Sequence, residues 1–338
     1  MHTGAGRLGA APIALIGVAL LLAGCAAPQT AGLERDPPAD LPPRAELDTV
    51  PFHPQERWQC GPAALATVLP PTARASAPSD LVDEVYVPTR KGTLRSEMRA
   101  AARARGLVPY PLAPQLTDLL REIASGRPVL VMQNLGLDWF PRWHYAVAVG
   151  YDLAEEKLIL RSGTTRRRIT AFSAFERTWA RGDRWAQVVV PPDEPPATAT
   201  PLEWLRAVRE LETTGRLEAA RQGFGAATDR WPRETAAWMA RGNAAFADDD
   251  PGGARDAFLE AIELAPRGAA GWNNLAYALA ATGDQANAIA AARCATRLAP
   301  EAKGPRDTLR EIEAGNQNDP ESSADLPECL APQVRVGN

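Results

Sequence analysis

The sequence predicts two unlike domains in one chain: an α+β domain, with a helix laid on an antiparallel sheet, and after it an all-α superhelix. Three observations predict this. A Pro-rich stretch, "PPDEPPATATP", starts at Pro191 and separates two blocks of different texture. Before it, an apolar helical run opens at Cys60 and an alternating strand opens at His144. After it, side chains recur every 34 residues. A length of 338 residues suits about two domains. The net charge of −4, with 23% charged residues, gives no basic excess that would attract nucleic acid, and Arg166-Arg167-Arg168 reads as a solvated strand or loop end.

The first element is not part of either fold. Arg7 is followed by "IALIGVALLLAGC", Ile13 to Cys25, with no charge until Glu34. This is the pattern of a signal peptide over residues 1–24, too short for a bilayer-spanning helix of roughly 20 apolar residues. Leu22-Ala23-Gly24-Cys25 resembles the bacterial lipobox, which implies lipidation of Cys25 and attachment to a membrane. Ala26, in place of the Asp that retains lipoproteins at the inner membrane, favours the outer membrane, facing the periplasm. Residues 25–47, rich in Pro, Ala and charge, read as an extended tether.

Residues 48–190 form the first folded block, 191–200 a linker, and 201–314 the second block; 315–338 lack an apolar face and read as a disordered tail. In the second block Trp204, Trp238 and Trp272 are spaced by 34, as are Ala220, Ala254 and Ala288, and Pro232, Pro266 and Pro300. Gly215 and Gly283 fall at the turn within a repeat, where the middle copy has Asp249. The pattern resembles the tetratricopeptide repeat, three copies with a capping helix from Pro305. That resemblance implies a concave face that binds a peptide or protein partner. Two columns are its candidate contacts: Arg209, Asn243 and Tyr277, and Leu205, Met239 and Asn273. Cys294 reads as a small packing residue, Cys329 falls in the tail, and no structural disulfide is expected.

Chemistry concentrates in the first block. "LDTVPFHPQER" reads as extended, and "GPAALATVL" as a helix with Pro62 in its first turn, which places Cys60 at a helix N-terminus. Unpaired N–H groups and the helix dipole there favour a thiolate and can hold an oxyanion. A base is scarce: of three His, His2 leaves with the signal peptide, His53 lies on the incoming segment, and His144 opens "HYAVAVGYD". There Tyr145, Val147 and Val149 form a bulky buried face, and Ala146, Ala148 and Gly150 a small one with room beside His144. Folding the hairpin into "KLILRSG" brings Ser162 opposite His144 as the orienting group, with Asp152 a poorer candidate at the far end. The His supply is too small for a metal site, no glycine loop cradles phosphate, and no cofactor is expected.

"PQERWQCGPAALATVL", with "RPVLVMQN" and "WHYAVAVGYD" downstream, resembles the papain-like cysteine peptidases that process bacteriocin leaders after double-glycine motifs. The resemblance spans roughly residues 48–190 and implies a papain-like fold, Cys60 as nucleophile and His144 as base. It also implies a Gln ahead of the Cys in the oxyanion hole: Gln55, with Gln59 as rival. The family's Asp-Pro after the His strand is replaced here by Ser162-Gly163. The family is typically fused to a transporter, which this sequence lacks, so bacteriocin leaders are not the expected substrate. The expectation is a membrane-anchored cysteine peptidase whose repeats recruit a peptide or protein; the alternatives are a catalytically silent binding domain, or an amidase or acyl transferase using the same thiol.

Overall fold

The computed structural model describes residues 27–55, 60–73, 77–315 and 326–330. The signal peptide, Cys25 and Gln59 lie outside the described residues. The chain forms two compact units: the chain to residue 98 with residues 111–188, and residues 99–110 with the chain from 189 onward. In order, the elements before the Pro-rich linker are α1 (Pro28–Arg35), β1 (Arg44–Glu46), α2 (Cys60–Val68), α3 (Pro78–Val85), β2 (Tyr86–Val87), β3 (Gly92–Thr93), α4 (Arg95–Ala104), β4 (Val108–Pro111) and α5 (Leu116–Ala124). They continue with β5 (Val129–Asn134), β6 (Trp143–Asp152), β7 (Lys157–Ser162), β8 (Thr165–Ala171), α6 (Phe172–Ala180) and β9 (Ala186–Val190).

The first unit is built on antiparallel strands: β5 pairs β6, β6 pairs β7 and β7 pairs β8, while β9 flanks β5. β1 adds to the far end of β6, Arg44 opposite Asp152. Gly150 makes room for it, since a Cβ there would lie 2.8 Å from the Ala45 carbonyl oxygen. The alternation read in β6 is present, but its small face is not open: Ala146 and Ala148 are as fully buried as Val147 and Val149. Small side chains here let neighbouring elements approach closely, and both α2 and α5 pack on β6. α2 is apolar apart from Thr67, whose hydroxyl donates to Ala63 O, and is buried from Gly61 to Val68, as expected of a helix with no solvent face.

Residues 27–47 of the expected tether are not free. Pro28 opens α1, and the buried carboxylate of Glu176 on α6 accepts the Gln29 and Thr30 backbone N–H groups at 3.0 and 2.8 Å and the Thr30 hydroxyl at 2.8 Å. A negative group at a helix N-terminus satisfies donors that have no partner within the helix and meets the positive end of its dipole. The Gln29 amide donates to Pro114 O at 2.9 Å, and Tyr151 donates its hydroxyl to Pro42 O, so the segment is fastened along its length.

The second unit carries α7 (Pro201–Thr213), α8 (Leu217–Arg230), α9 (Thr235–Ala247), α10 (Pro251–Leu264), α11 (Ala269–Ala281), α12 (Gln285–Leu298) and α13 (Lys303–Ala314). The 34-residue period has a physical basis. Trp238 and Trp272 each donate their indole N–H to the carbonyl of the Pro six residues back, Pro232 and Pro266, while Trp204 donates to Gly223 O. The turn positions are left-handed in every copy: Gly215 at φ 76°, Asp249 at 58° and Gly283 at 82°. Cys294 and Cys329 form a disulfide with Cα atoms 5.8 Å apart, contrary to the expectation of none. Leu326 and Cys329 pack on the core of the third repeat, so this part of the presumed tail is held down. Residues 326–330 carry no helical period because a covalent link fixes them.

Candidate active site

Cys60 is the first residue of α2, as its composition predicts. The glycine after it is required by packing: a Cβ on Gly61 would collide with the Thr93 side chain. Pro62 then tolerates the first turn, where its missing N–H costs no helical bond. The approach to α2 is braced by main-chain bonds. Buried Arg161 donates to Leu47 O and Val50 O, both at 3.3 Å, and the Gln55 N–H donates to Gly163 O at 3.0 Å.

His144 and Ser162 meet as the hairpin geometry predicts, Nε2 to Oγ at 2.8 Å. Burial, then the positive charges of Arg168 and Arg142, lower the His144 pKa from 6.5 to about 4, so its imidazole is neutral at pH 7. Nδ1 makes no hydrogen bond among the described residues. If Nδ1 is to accept a proton, Nε2 carries the ring hydrogen and donates it to Ser162. Cys60 makes no hydrogen bond to His144, and it is the one free cysteine among the described residues. Asp152 is occupied at the far turn, accepting the Glu155 N–H at 3.0 Å. His53 is half-buried, which lowers its pKa, and is bonded to neither Cys60 nor His144.

Gln55 holds a position that sequence alone did not reveal. Its Nε2 donates to Tyr145 O at 3.2 Å, and its Oε1 accepts the Gly163 N–H at 2.9 Å. The residue is thereby tied to the neighbours of both His144 and Ser162. One amide hydrogen is left for another acceptor. Gly163 has φ of 59° and donates its N–H, neither of which a proline could do. Ser162-Gly163 thus does two things here: Ser162 bonds the imidazole with a hydroxyl, and Gly163 anchors Gln55.

The low pKa makes a stability prediction. Below pH 6.5 the unfolded chain takes up a proton that folded His144 refuses until about pH 4, so stability falls as pH drops through this window. The expected loss is about 3 kcal/mol by pH 4, absent in His144→Gln. Urea unfolding of both proteins at pH 7 and pH 4 checks it; equal losses in the two would remove His144 as the cause.

Among the repeat columns, Leu205 is buried and so does not line an open face, and Met239, half-buried, packs on the repeat core. Tyr277 is engaged with α13, donating to Glu311 at 3.1 Å and accepting from Thr308 at 3.2 Å. Asn243 accepts from the Asn274 amide at 2.9 Å, Asn273 donates to Asn274 at 3.4 Å, and Arg209 is exposed. A register taken from spacing alone does not distinguish groove positions from inter-helix ones. Among the described residues no group of His, Cys, Asp and Glu is placed to hold a metal ion.

Residues 47–185 match the Peptidase C39 like family, and residues 205–269 and 241–303 match the tetratricopeptide repeat. A putative C39-like peptidase from Bacillus anthracis is 18% identical, with a TM-score of 0.36, covering 44% of this chain and 97% of that one. The Sgt2 TPR domain from Aspergillus fumigatus is 13% identical, with a TM-score of 0.34, covering 39% of this chain and 92% of that one. The second TPR domain of human RPAP3, solved with the HSP70 peptide SGPTIEEVD, is 15% identical, with a TM-score of 0.31, covering 34% and 98%. No curated protein matches the chain. The chain carries a Peptidase C39-like α+β domain with an antiparallel sheet, followed by a helical tetratricopeptide-repeat region.

Proposed function

We propose that this protein is a membrane-anchored cysteine peptidase. Cys60 Sγ attacks a peptide carbonyl while its proton passes to His144 Nδ1; the oxyanion forms beside the N–H groups that open α2, with the free Gln55 amide hydrogen as a second donor. The protonated His144 then gives its proton to the leaving amine. Water attacks the thioester, losing a proton to His144, and returns the free thiol. The observation that carries this reading is the His144–Ser162 bond, which fixes the ring through Nε2, with Nδ1 unengaged among the described residues. Cys25 would be the lipid anchor, holding the protein at the outer membrane facing the periplasm. The Cys294–Cys329 bridge supports an oxidising compartment. The repeats would recruit a substrate or protein partner, with Arg209 and Asn243 the most accessible of the predicted contacts.

A catalytically silent binding domain is the second reading, favoured by a hydroxyl where a carboxylate would orient the imidazole and by the missing Cys60–His144 hydrogen bond. An amidase or acyl transferase would use the same thiol and differ in its acceptor. Iodoacetamide labelling followed by intact mass separates the first two, because Cys294 and Cys329 are bridged and Cys60 is free. Labelling at pH 7 is expected to slow about tenfold in His144→Ala, where the thiol has lost its proton acceptor. Equal rates in the two proteins would leave Cys60 unactivated and favour the silent domain.

A further inference from the structure

The connection between β5 and β6 presents an unusual surface. Five large apolar side chains stand exposed within nine residues: Leu135 (41%), Leu137 (55%), Trp139 (81%), Phe140 (67%) and Trp143 (54%). Exposed aromatic clusters of this density mark interaction sites. The hairpin is also built to hold its shape. Leu137 and Phe140 exchange backbone bonds at 3.2 and 3.1 Å, and Asn134 Oδ1 accepts the N–H groups of Gly136 and Arg142, both at 2.9 Å. The Asn134 amide returns a bond to Leu137 O at 3.3 Å. A Cβ on Gly136 would collide with Phe140 O, so the turn admits only glycine there.

This display runs directly into the site, since Trp143 precedes His144. Two cations lie near His144. Arg142 sits just before β6, where its backbone carbonyl accepts the Leu135 N–H at 2.9 Å. Leu160 lies two residues before Ser162, and Arg168 is directly opposite Leu160 in the β7–β8 register. Both arginines are exposed, and no carboxylate among the described residues pairs with either. Their field is felt at His144, whose proton they disfavour. Asp138 is exposed at the tip between Leu137 and Trp139 and would have to enter hydrocarbon with them, which argues against a bilayer as the occupant.

We propose that the β5–β6 hairpin and the Arg142–Arg168 pair select a peptide that carries a bulky apolar residue next to an acidic one, the apolar side chain seating on Trp139 and Phe140 and the acid meeting the arginines. The proposal rests on the site being a peptide site, and not on its being active. Binding is therefore read in the full chain carrying Cys60→Ala, which cannot turn over. The probes are fluorescein-labelled hexapeptides with a central Phe-Glu, Phe-Lys, Ala-Glu or Ala-Gln pair, followed by polarisation. Phe-Glu is expected to bind at least about tenfold more tightly than the other three. Trp139→Ser should erase the preference for Phe, and Arg142→Gln with Arg168→Gln should erase the preference for Glu and flatten the salt dependence. Trp139 is exposed, so an unchanged melting temperature in Trp139→Ser keeps a binding loss attributable to the lost contact. Equal binding of all four peptides, or preferences that survive these substitutions, would overturn the proposal. So would capture by vesicles of phosphatidylglycerol that is lost in Trp139→Ser, which would assign the hairpin to a lipid surface. Selective binding alongside unactivated labelling of Cys60 would sink catalysis and leave this recognition standing.

Discussion

Replacing His144 with alanine is expected to lower peptide turnover roughly a thousandfold, the scale of a lost general base, and Cys60→Ala is expected to abolish it. The pH profile carries the finer test. His144 titrates at about 4 because it is buried and lies near Arg168 and Arg142, with only a hydroxyl on Nε2. A general base must be unprotonated to act, so the acid limb of kcat/KM should fall near pH 4 and not near 6.5. A preformed thiolate–imidazolium pair would need the opposite arrangement, a ring that keeps its proton at neutral pH. Ser162→Asp supplies the missing opposite charge at Nε2 and should move the acid limb toward neutrality. An acid limb already at 6.5 in the wild type, unmoved by Ser162→Asp, would show that the environment described for His144 does not govern the reaction.

What the sequence revealed of this site follows from the range of its signals. Cys60 at a helix start and His144 at a strand start are local patterns, and the short turn after Asp152 is enough to place Ser162 beside His144. The 34-residue period gave the repeats for the same reason, since its bonds are local: the second and third copies share the Trp–Pro carbonyl contact, and all three share the left-handed turn. Contacts made across long separations left no such trace. Glu176 caps α1 across 146 residues, so a Pro- and Ala-rich segment that looks like a tether is bound to the domain. Gln55 reaches Gly163 across 108 residues, and that bond, with the positive φ of Gly163, shows why a proline could not stand there. The partition of the repeat columns into Leu205 inside, Met239 at the core's edge and Arg209 outside likewise depends on how adjacent hairpins stack.

Breaking the Cys294–Cys329 bridge with Cys329→Ser is expected to cost about 3–4 kcal/mol of repeat-region stability, from the chain entropy that a link over 35 residues removes from the unfolded state. Cys329→Ser is the cleaner variant, because Cys294 is buried in α12 and replacing it would disturb packing as well. Dithiothreitol should destabilise the wild type by the same amount and leave Cys329→Ser unchanged, which separates the covalent link from any effect of the new side chain. A repeat array buries each hairpin against its neighbours, and its last hairpin has a neighbour on one side only. Here α13 covers part of that exposed end through Leu309 and Ile312, and the bridge brings Leu326 and Cys329 onto the same core. If Cys329→Ser melts like the wild type, the segment after α13 contributes nothing and the terminal repeat is stable with α13 alone. If it melts early, the array reaches full stability only where thiols are oxidised, and its stability becomes tied to the compartment that the lipobox-like Cys25 independently suggests.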